Sequence, residues 1–481
     1  MKAASCIPRL LNFGRRFMFI FFGLSICLFP AVCPAQMAVY PGSLQSTEAL
    51  PSPAQVDDFL QLAERNNPGL KAAFHRWQSA ALKVPQATSL EDPRLSYMEY
   101  LDKTMETERE IGLMQMFPYP GKRRLKGTIE STEAEALHKE MEKARLELRS
   151  QVKDAFYELY YLEQTIRTTR ENLDLMRHFE SVATARFGVG RGGNRDVVKA
   201  QVELGKMENE LRSLEDSRKP IHARLNALLN RPPESSLPPL TEITLESFEP
   251  NIDDLRRQAS FSNPELQALD MRIQKSQTML SLAHQAKYPD FSIGLNWMDA
   301  NERMMENARD EWIASFEMNL PVYRKRIEAG VREAESGVRE LLSMRQELHN
   351  RISADLEDQL YKYRNAQRQL RLLSDVLVPK ARQALEVTES AYRTDQASFL
   401  ELIDSERELL VFQESYYRSV ADSLQALARI ESLTGRPIAA LPRAAGPAGL
   451  QEAPLEEEPA TNTAPVSPSP EEPPAPSHNP E

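Results

Sequence analysis

Cysteine is scarce in this sequence and confined to one end of it. All three cysteines, Cys6, Cys27 and Cys33, precede Ala35. Cleavage after Ala35 would leave a mature protein without cysteine, which excludes a disulfide framework, a thiolate metal site and a cysteine nucleophile. Glycine is also infrequent, at 18 of 481 residues. The 33 prolines gather at the ends of the chain and at a few joints, which favours long helices between them.

Signals of catalysis and of nucleic-acid binding are lacking as well. The net charge is −11 and no basic patch interrupts it, so we expect no nucleic-acid partner. None of the seven histidines pairs with another four residues away across a carboxylate, which argues against a zinc-protease type of site. We therefore expect no enzymatic activity, no cofactor and no bound metal.

The N-terminus has the three-part pattern of a secretory signal. Basic residues precede an apolar run at 17–29, and small residues follow it up to Ala35. The run is short for a membrane helix, so we expect cleavage after Ala35. An uncleaved anchor and lipidation of Cys33 stay open as alternatives.

The rest of the chain is an internal repeat of roughly 200 residues. Each copy runs from a short helix through Asn-Pro, a second helix and a proline into two strands, and then into two long helices. The tail is rich in proline and glutamate, which is typical of disorder. The predicted regions are a signal peptide at 1–35, a first repeat at 36–250 with a β-hairpin at 94–117 and a helix pair at 121–230, a second repeat at 251–439 with a β-hairpin at 291–320 and a helix pair at 321–435, and a disordered tail at 440–481.

The strand-to-helix joint of each repeat is the most distinctive stretch of the sequence. In the first copy it carries Pro118, Pro120 and Gly121, and in the second copy Pro321 takes the place of Pro118. Proline lacks an N–H and fixes φ, so it suits the end of a strand and the first helical turn. The helix predicted after the first joint has about 65 residues and a length of about 100 Å, too long for a globular domain to enclose.

The predicted strands are apolar on one face and polar on the other. Alternate residues from Phe291 to Trp297 are apolar, and those between them are small or polar. This alternation is typical of a membrane barrel with an aqueous lumen, although a half-buried soluble hairpin has it too. A closed barrel needs about eight strands at least. Because one chain brings only four, we expect it to pool its strands with other copies.

These linked features resemble the TolC family, the outer-membrane factors of Gram-negative efflux and type I secretion systems. The resemblance spans the chain from Pro53 to Pro437 and rests on the duplicated order, on the segment Gln115–Arg123 and on the segment Tyr392–Asp404. The joint is most similar to that of members serving heavy-metal and related RND pumps.

The resemblance implies a mixed, mostly α fold. Four strands of each chain would enter a trimeric, twelve-stranded outer-membrane β-barrel, and the long helices would form an α-helical barrel in the periplasm. The implied function is that of a passive exit duct. The implied partners are two further copies of the chain, a periplasmic adaptor, an inner-membrane pump, favoured to be of the RND type, and outer-membrane lipid.

The resemblance also implies which residues form the periplasmic entrance. Glu401 and Asp404 match two acidic residues, three apart, that form rings at the mouth. Such a spacing puts both carboxylates on one helix face, where three copies would favour cations. A solvated helix face would have the same pattern, and this alternative stays open.

The closed entrance of the family uses a further tyrosine, aspartate and arginine. Tyr392 and Asp196 match the first two, but Ala397 takes the place of the arginine. We expect another arginine to substitute, with Arg191 and Arg195 as candidates. Adaptor contact is implied at the helical tips, namely at Gly188, Gly190, Arg191, Gly192, Gly193, Asp395 and Gln396.

A periplasmic coiled-coil adaptor or structural protein is the alternative function. It accounts for the signal sequence and for the long helices. It does not account for two hairpins with proline joints at matched places in both halves.

Overall fold

The computed structural model describes residues 50–101, 107–243, 249–300 and 309–437. The predicted signal peptide and the predicted tail lie outside the described residues. In the first half the elements are α1 (Val56–Asn66), α2 (Pro68–Ala81), α3 (Lys83–Thr88), β1 (Arg94–Glu99), β2 (Thr107–Phe117), α4 (Lys122–Gly188) and α5 (Asn194–Leu228). In the second half they are α6 (Ile252–Ser262), α7 (Pro264–His284), a 3₁₀ turn (Gln285–Lys287), β3 (Phe291–Ala300), β4 (Glu311–Met318), α8 (Arg324–Leu372), a π-helical segment (Leu373–Leu377), α9 (Val378–Arg393) and α10 (Phe399–Thr434).

The predicted mostly α, internally duplicated fold is confirmed. Each half contains short helices, two strands, a long helix and a returning helix in that order. The halves differ in their long helices, since α4 runs unbroken for 67 residues whereas a π-helical segment separates α8 from α9. Pro379 follows that segment in the sequence. A proline within a helix lacks the N–H and clashes with the carbonyl four residues earlier, so the wider turn accommodates it.

The two Asn-Pro pairs perform the same task in each half. The side-chain oxygens of Asn67 and Asn263 each accept a backbone N–H of the following helix at 3.1 Å, which caps α2 and α7. The Asn67 amide donates to the Leu228 carbonyl at 3.0 Å, and that of Asn263 donates to the Leu433 carbonyl at 2.8 Å. Each asparagine therefore ties the start of a short helix to the end of the returning long helix.

The four strands form one antiparallel sheet in the order β1-β2-β3-β4. Its polar face is closely packed at Gly112, where a Cβ would lie 2.5 Å from the Ser96 hydroxyl and 2.7 Å from the Asn296 amide oxygen. The opposite face is apolar and exposed in the single chain, and its residues include Leu95, Tyr97, Ile111, Leu113, Ile293, Leu295, Trp312 and Phe316. Strands β1 and β4 are the edges of this sheet, and neither pairs with a further strand in the described part of the chain.

The helices pack around separate apolar clusters along their length. One cluster surrounds Phe156 and Tyr157, and a buried ion pair between Lys153 and Glu431 lies nearby on the same helices. A second cluster, here named the tip cluster, lies near the turns that end α4 and α9. Its buried members are Leu173, Met176, Phe179, Ala183, Val197, Ala200, Met207, Ala381, Leu385, Tyr392, Phe399, Leu402, Ile403, Leu409 and Leu410. None of the helices described is long and apolar enough to cross a membrane.

Candidate functional site

Two helical turns meet beside the tip cluster. The first turn, 189–193, joins α4 to α5, and the second, 394–398, joins α9 to α10. Gly190 has φ +74° and Asp395 has φ +61°, so each turn reverses through one left-handed residue. The residues predicted for adaptor contact all lie in these turns or at the last residue of α4.

Tyr392 is the buried centre of this region. Its ring packs against Phe399 with the centroids 5.4 Å apart, and its side chain is almost fully enclosed. The hydroxyl group has no hydrogen-bond partner in the described part of the chain. Burial and the nearby carboxylate of Asp196 raise the pKa of the Tyr392 phenol, and Arg186 opposes that rise. The two predicted residues Tyr392 and Asp196 are therefore neighbours, although they come from different repeats.

Arg186 is the residue that holds Tyr392, and sequence reasoning missed it. Its guanidinium carbon lies 4.5 Å from the centre of the Tyr392 ring, which is a cation–π contact. The same guanidinium donates to the Tyr392 carbonyl and pairs with the Asp395 carboxylate. Arg186 belongs to α4 and thus joins the end of the first long helix to the turn of the second repeat.

The two arginines suggested by the sequence do not take this part. Neither Arg191 nor Arg195 forms an ion pair among the residues that the structure describes. The Arg191 carbonyl instead accepts a hydrogen bond of 3.5 Å from Arg186. The only sequence signal for Arg186 was a cation in the last turn of a helix, which is too common a feature to single it out.

Glu401 and Asp404 lie on the exposed side of α10. Glu401 also caps this helix: the Ser398 N–H donates to its carboxylate at 2.7 Å, and its own N–H donates to the Ser398 hydroxyl at 3.2 Å. These hydrogen bonds lower the pKa of Glu401, which keeps it anionic at neutral pH. Asp404 lies 3.5 Å from a guanidinium nitrogen of Arg407. The two carboxylates thus share one face but have different partners.

Glu406, one turn further along α10, is a buried acid that the sequence analysis did not single out. Its side chain is buried, and its Oε1 has no hydrogen-bond partner among the residues described. Burial is the main cause that raises its pKa to about 7. Arg407 lowers the pKa of Glu406 and Glu203 raises it, but Arg407 itself donates to Glu203 at 2.7 Å.

The strand-to-helix joint of the first repeat is a second built site. Pro118 and Pro120 end the strand, and Gly121 has φ +97° just before α4 begins. Lys122, the first residue of α4, donates to the Asp290 carboxylate at 2.9 Å and to the Tyr288 carbonyl at 2.9 Å. This joint therefore fixes the start of the long helix to the start of β3. Pro321 has the corresponding place in the second repeat, but β4 ends at Met318, three residues before this proline.

No metal site is evident in this part of the molecule. Among the residues described, no three side chains of histidine, cysteine, aspartate or glutamate are grouped so that they could hold an ion. The tips instead have exposed carboxylates around a buried aromatic side chain, Tyr392.

Comparison with known proteins gives a consistent result. Residues 59–231 match the family described as outer membrane efflux protein. A relative with 21% identity over 389 residues is the cobalt-zinc-cadmium resistance protein CzcC of Cupriavidus metallidurans, and the match covers 80% of this chain and 90% of that protein.

Solved structures show the same fold. The outer membrane protein VceC of Vibrio cholerae has 19% identity and a TM-score of 0.68, and the match covers 79% of this chain and 96% of VceC. The outer membrane channel CmeC of Campylobacter jejuni has 14% identity and a TM-score of 0.68, with coverage of 79% and 85%. The duplicated architecture, the joints and these matches agree: over residues 59–231 the chain is similar to the outer membrane efflux protein family, and it has the fold of the solved outer membrane channels.

Proposed function

We propose that this protein is the outer-membrane exit duct of a tripartite efflux system, through which substrate passes passively to the exterior. The proposal depends on one observation, namely that the sheet continues directly into the long helix. An exposed apolar sheet face leads directly into a helix of 67 residues, which spans about 100 Å at about 1.5 Å per residue. The apolar face of the sheet is suited to contact with lipid, and the length of the helix is suited to the periplasm.

The functional unit is a homotrimer in this proposal. Four strands with two unpaired edges cannot close by themselves, since a barrel needs about eight strands. Three copies supply twelve. A soluble periplasmic adaptor, the alternative function, would not need an apolar sheet face of this size, and it is not favoured by the family match.

The helical tips form the periplasmic entrance. Arg186 holds the two turns of one chain together through Tyr392 and Asp395, with Asp196 nearby, and Glu401 and Asp404 line the mouth. The turns around Gly190 and Asp395 contact the adaptor, which connects the duct to an inner-membrane pump of the RND type.

Metal cations are the cargo class that we infer. The relative CzcC is named for resistance to cobalt, zinc and cadmium. A ring of exposed carboxylates at a narrow mouth concentrates cations and repels anions. The pair of acids at the tip therefore fits cationic cargo.

Ion selectivity in planar bilayers tests the role of the acidic pair. The variant Glu401→Gln with Asp404→Asn removes both charges, while the glutamine keeps an oxygen for the helix cap at Ser398. We expect the permeability to anions to rise relative to cations. Glu234→Gln is the matched control, because Glu234 is exposed and lies in the connector after α5. Unchanged selectivity in the double variant would exclude these side chains from the mouth.

Cell fractionation tests the function itself. An exit duct is recovered with the outer membrane and migrates differently on gels after heating. Release of the protein by osmotic shock would contradict the proposal and favour the adaptor.

A further inference from the structure

We propose that adjacent copies of this chain join in one specific register, with Met318 of β4 opposite Leu95 of β1 in the next copy. An ion pair between Lys325 and the Asp92 of that copy secures the join. This inference rests on the proposed function, because it assumes that copies of the chain close one barrel. A contact that the single chain already contains supports it.

The existing contact lies between the two repeats, where β2 pairs with β3. Lys122 donates to the Asp290 carboxylate at 2.9 Å. Above this ion pair, the rings of Tyr119 and Tyr288 stack with their centroids 4.4 Å apart and 10° between their planes. The start of a long helix is thus bound to the start of the neighbouring strand by one ion pair and one apolar contact.

The internal duplication identifies the partners of a second such contact. Pro321 corresponds to Pro118, so Lys325 corresponds to Lys122 and Val322 to Tyr119. Each of these residues follows its proline by the same number of positions. The helix side of the first contact therefore has a counterpart after β4, with the lysine retained and a valine in the place of the tyrosine.

The strand side follows from the register of the two hairpins. In each hairpin, the residue four positions before the proline pairs with a residue of the other strand. This partner is Arg94 in the first hairpin and Ser292 in the second. Asp92 and Asp290 each stand two positions before that residue in the sequence. By the same alignment Leu90 stands in the place of Tyr288, so the strand side has a counterpart before β1.

These counterparts lie at the two edges of the sheet and have no partners of this kind among the residues that the structure describes. Lys325 and Asp92 are both exposed and form no ion pair in the described ranges. Leu90 and Val322, which replace the stacked tyrosines, are 39% and 66% exposed. One edge thus offers a cation with an apolar residue, and the other edge offers an anion with an apolar residue. A second copy of the chain provides the complementary edge each time.

The faces of the strands agree with this register. When β4 pairs with β1 of the next copy in the register that β2 has with β3, Met318 lies opposite Leu95 and Phe316 lies opposite Tyr97. All four of these side chains belong to the apolar face. The same transfer sets Glu317 opposite Ser96 on the polar face. A slip of one residue would place apolar side chains opposite polar ones along the whole edge.

Cysteine cross-linking tests the register. Paired residues of antiparallel strands have Cα atoms about 4.5–5.5 Å apart, which is within the range of a disulfide. The variant Met318→Cys with Leu95→Cys should form covalent dimers and trimers on oxidation, with most of the monomer band lost. The control Met318→Cys with Ser96→Cys places the second thiol on the opposite face and should stay monomeric, as should the parent chain.

Charge reversal tests the ion pair. Lys325→Glu should lower the temperature at which the detergent-resistant trimer dissociates, and adding Asp92→Lys in the same chain should restore it. Cross-linking through Ser96 instead of Leu95, or to a different protein, would overturn the register. An outer-membrane trimer without the Leu95 cross-link would overturn this inference and leave the exit duct standing. Absence of any outer-membrane trimer would overturn both.

Discussion

The buried carboxylate of Glu406 makes the tip of the molecule sensitive to pH. Its side chain is 2% exposed and lies between the apolar residues Ile403 and Leu410 of the same helix. Arg407, the cation that lowers the pKa of Glu406, donates to Glu203 at 2.7 Å, so it compensates Glu406 only in part. A charge at Glu406 is therefore a cost to the packed state.

The pKa of Glu406 sets the size and direction of the effect. Burial raises it from 4.5 to about 7, and each pKa unit corresponds to about 1.4 kcal/mol. Ionisation thus costs the packed tip about 3 kcal/mol. Because the packed-state pKa lies above the unfolded one, the tip is most stable below pH 4.5 and loses stability as the pH rises to about 7.

Hydrogen exchange of α10 measures this effect. We expect the free energy of local opening around Glu406 to fall between pH 5 and pH 8, after correction for intrinsic exchange, by about 3 kcal/mol. Glu406→Gln has no charge to lose and should remove most of the pH dependence. Glu408→Gln, on the exposed side of the same helix, is the control and should behave like the parent. An equal fall in Glu406→Gln and the parent would refute the reasoning.

Two further substitutions test the interior of the helical part. Arg186→Met removes the cation that holds Tyr392 and Asp395, so we expect a higher conductance in planar bilayers, whereas Arg191→Met, its control, should change little. Lys153→Met removes the buried cation that pairs with Glu431 and should cost about 3 kcal/mol, which is measured as a lower temperature of thermal unfolding. Unchanged conductance in the first variant or an unchanged unfolding temperature in the second would contradict these assignments.

The features that the sequence predicted well depend on local chemistry. The Asn-Pro pairs, the proline joints and the alternating strands each follow from the conformations that a few adjacent residues allow. The pairing of β2 with β3, which joins the two predicted hairpins into one sheet, was not predicted. One local feature was missed, since the proline at the start of α9 produces a π-helical segment instead of one continuous helix.

The features that the sequence did not reveal depend on contacts between the repeats. Arg186 is 206 residues away from Tyr392 in sequence, and nothing near either residue indicates that they meet. The burial of Glu406 likewise results from helices of both repeats, because an acid on an amphipathic helix is usually solvated. Glu401 shows a third case, in which a residue predicted for the mouth also caps its own helix.

The two ends of the molecule use the duplication in opposite ways. At the sheet, both repeats have a lysine after the joint and an aspartate before the strand. The same lysine–aspartate contact can therefore form within a chain and between copies, so that a ring can close without a different kind of edge. At the tips the repeats differ, because the first turn contains three glycines between Val189 and Gly193 and the second contains none. The second turn therefore has the side chain, Asp395, that Arg186 of the first repeat can bind. In the proposed trimer, a closed ring of strands needs equivalent joins, whereas an entrance that opens needs a contact between unlike turns, and the two repeats of this chain differ at the tips in that way.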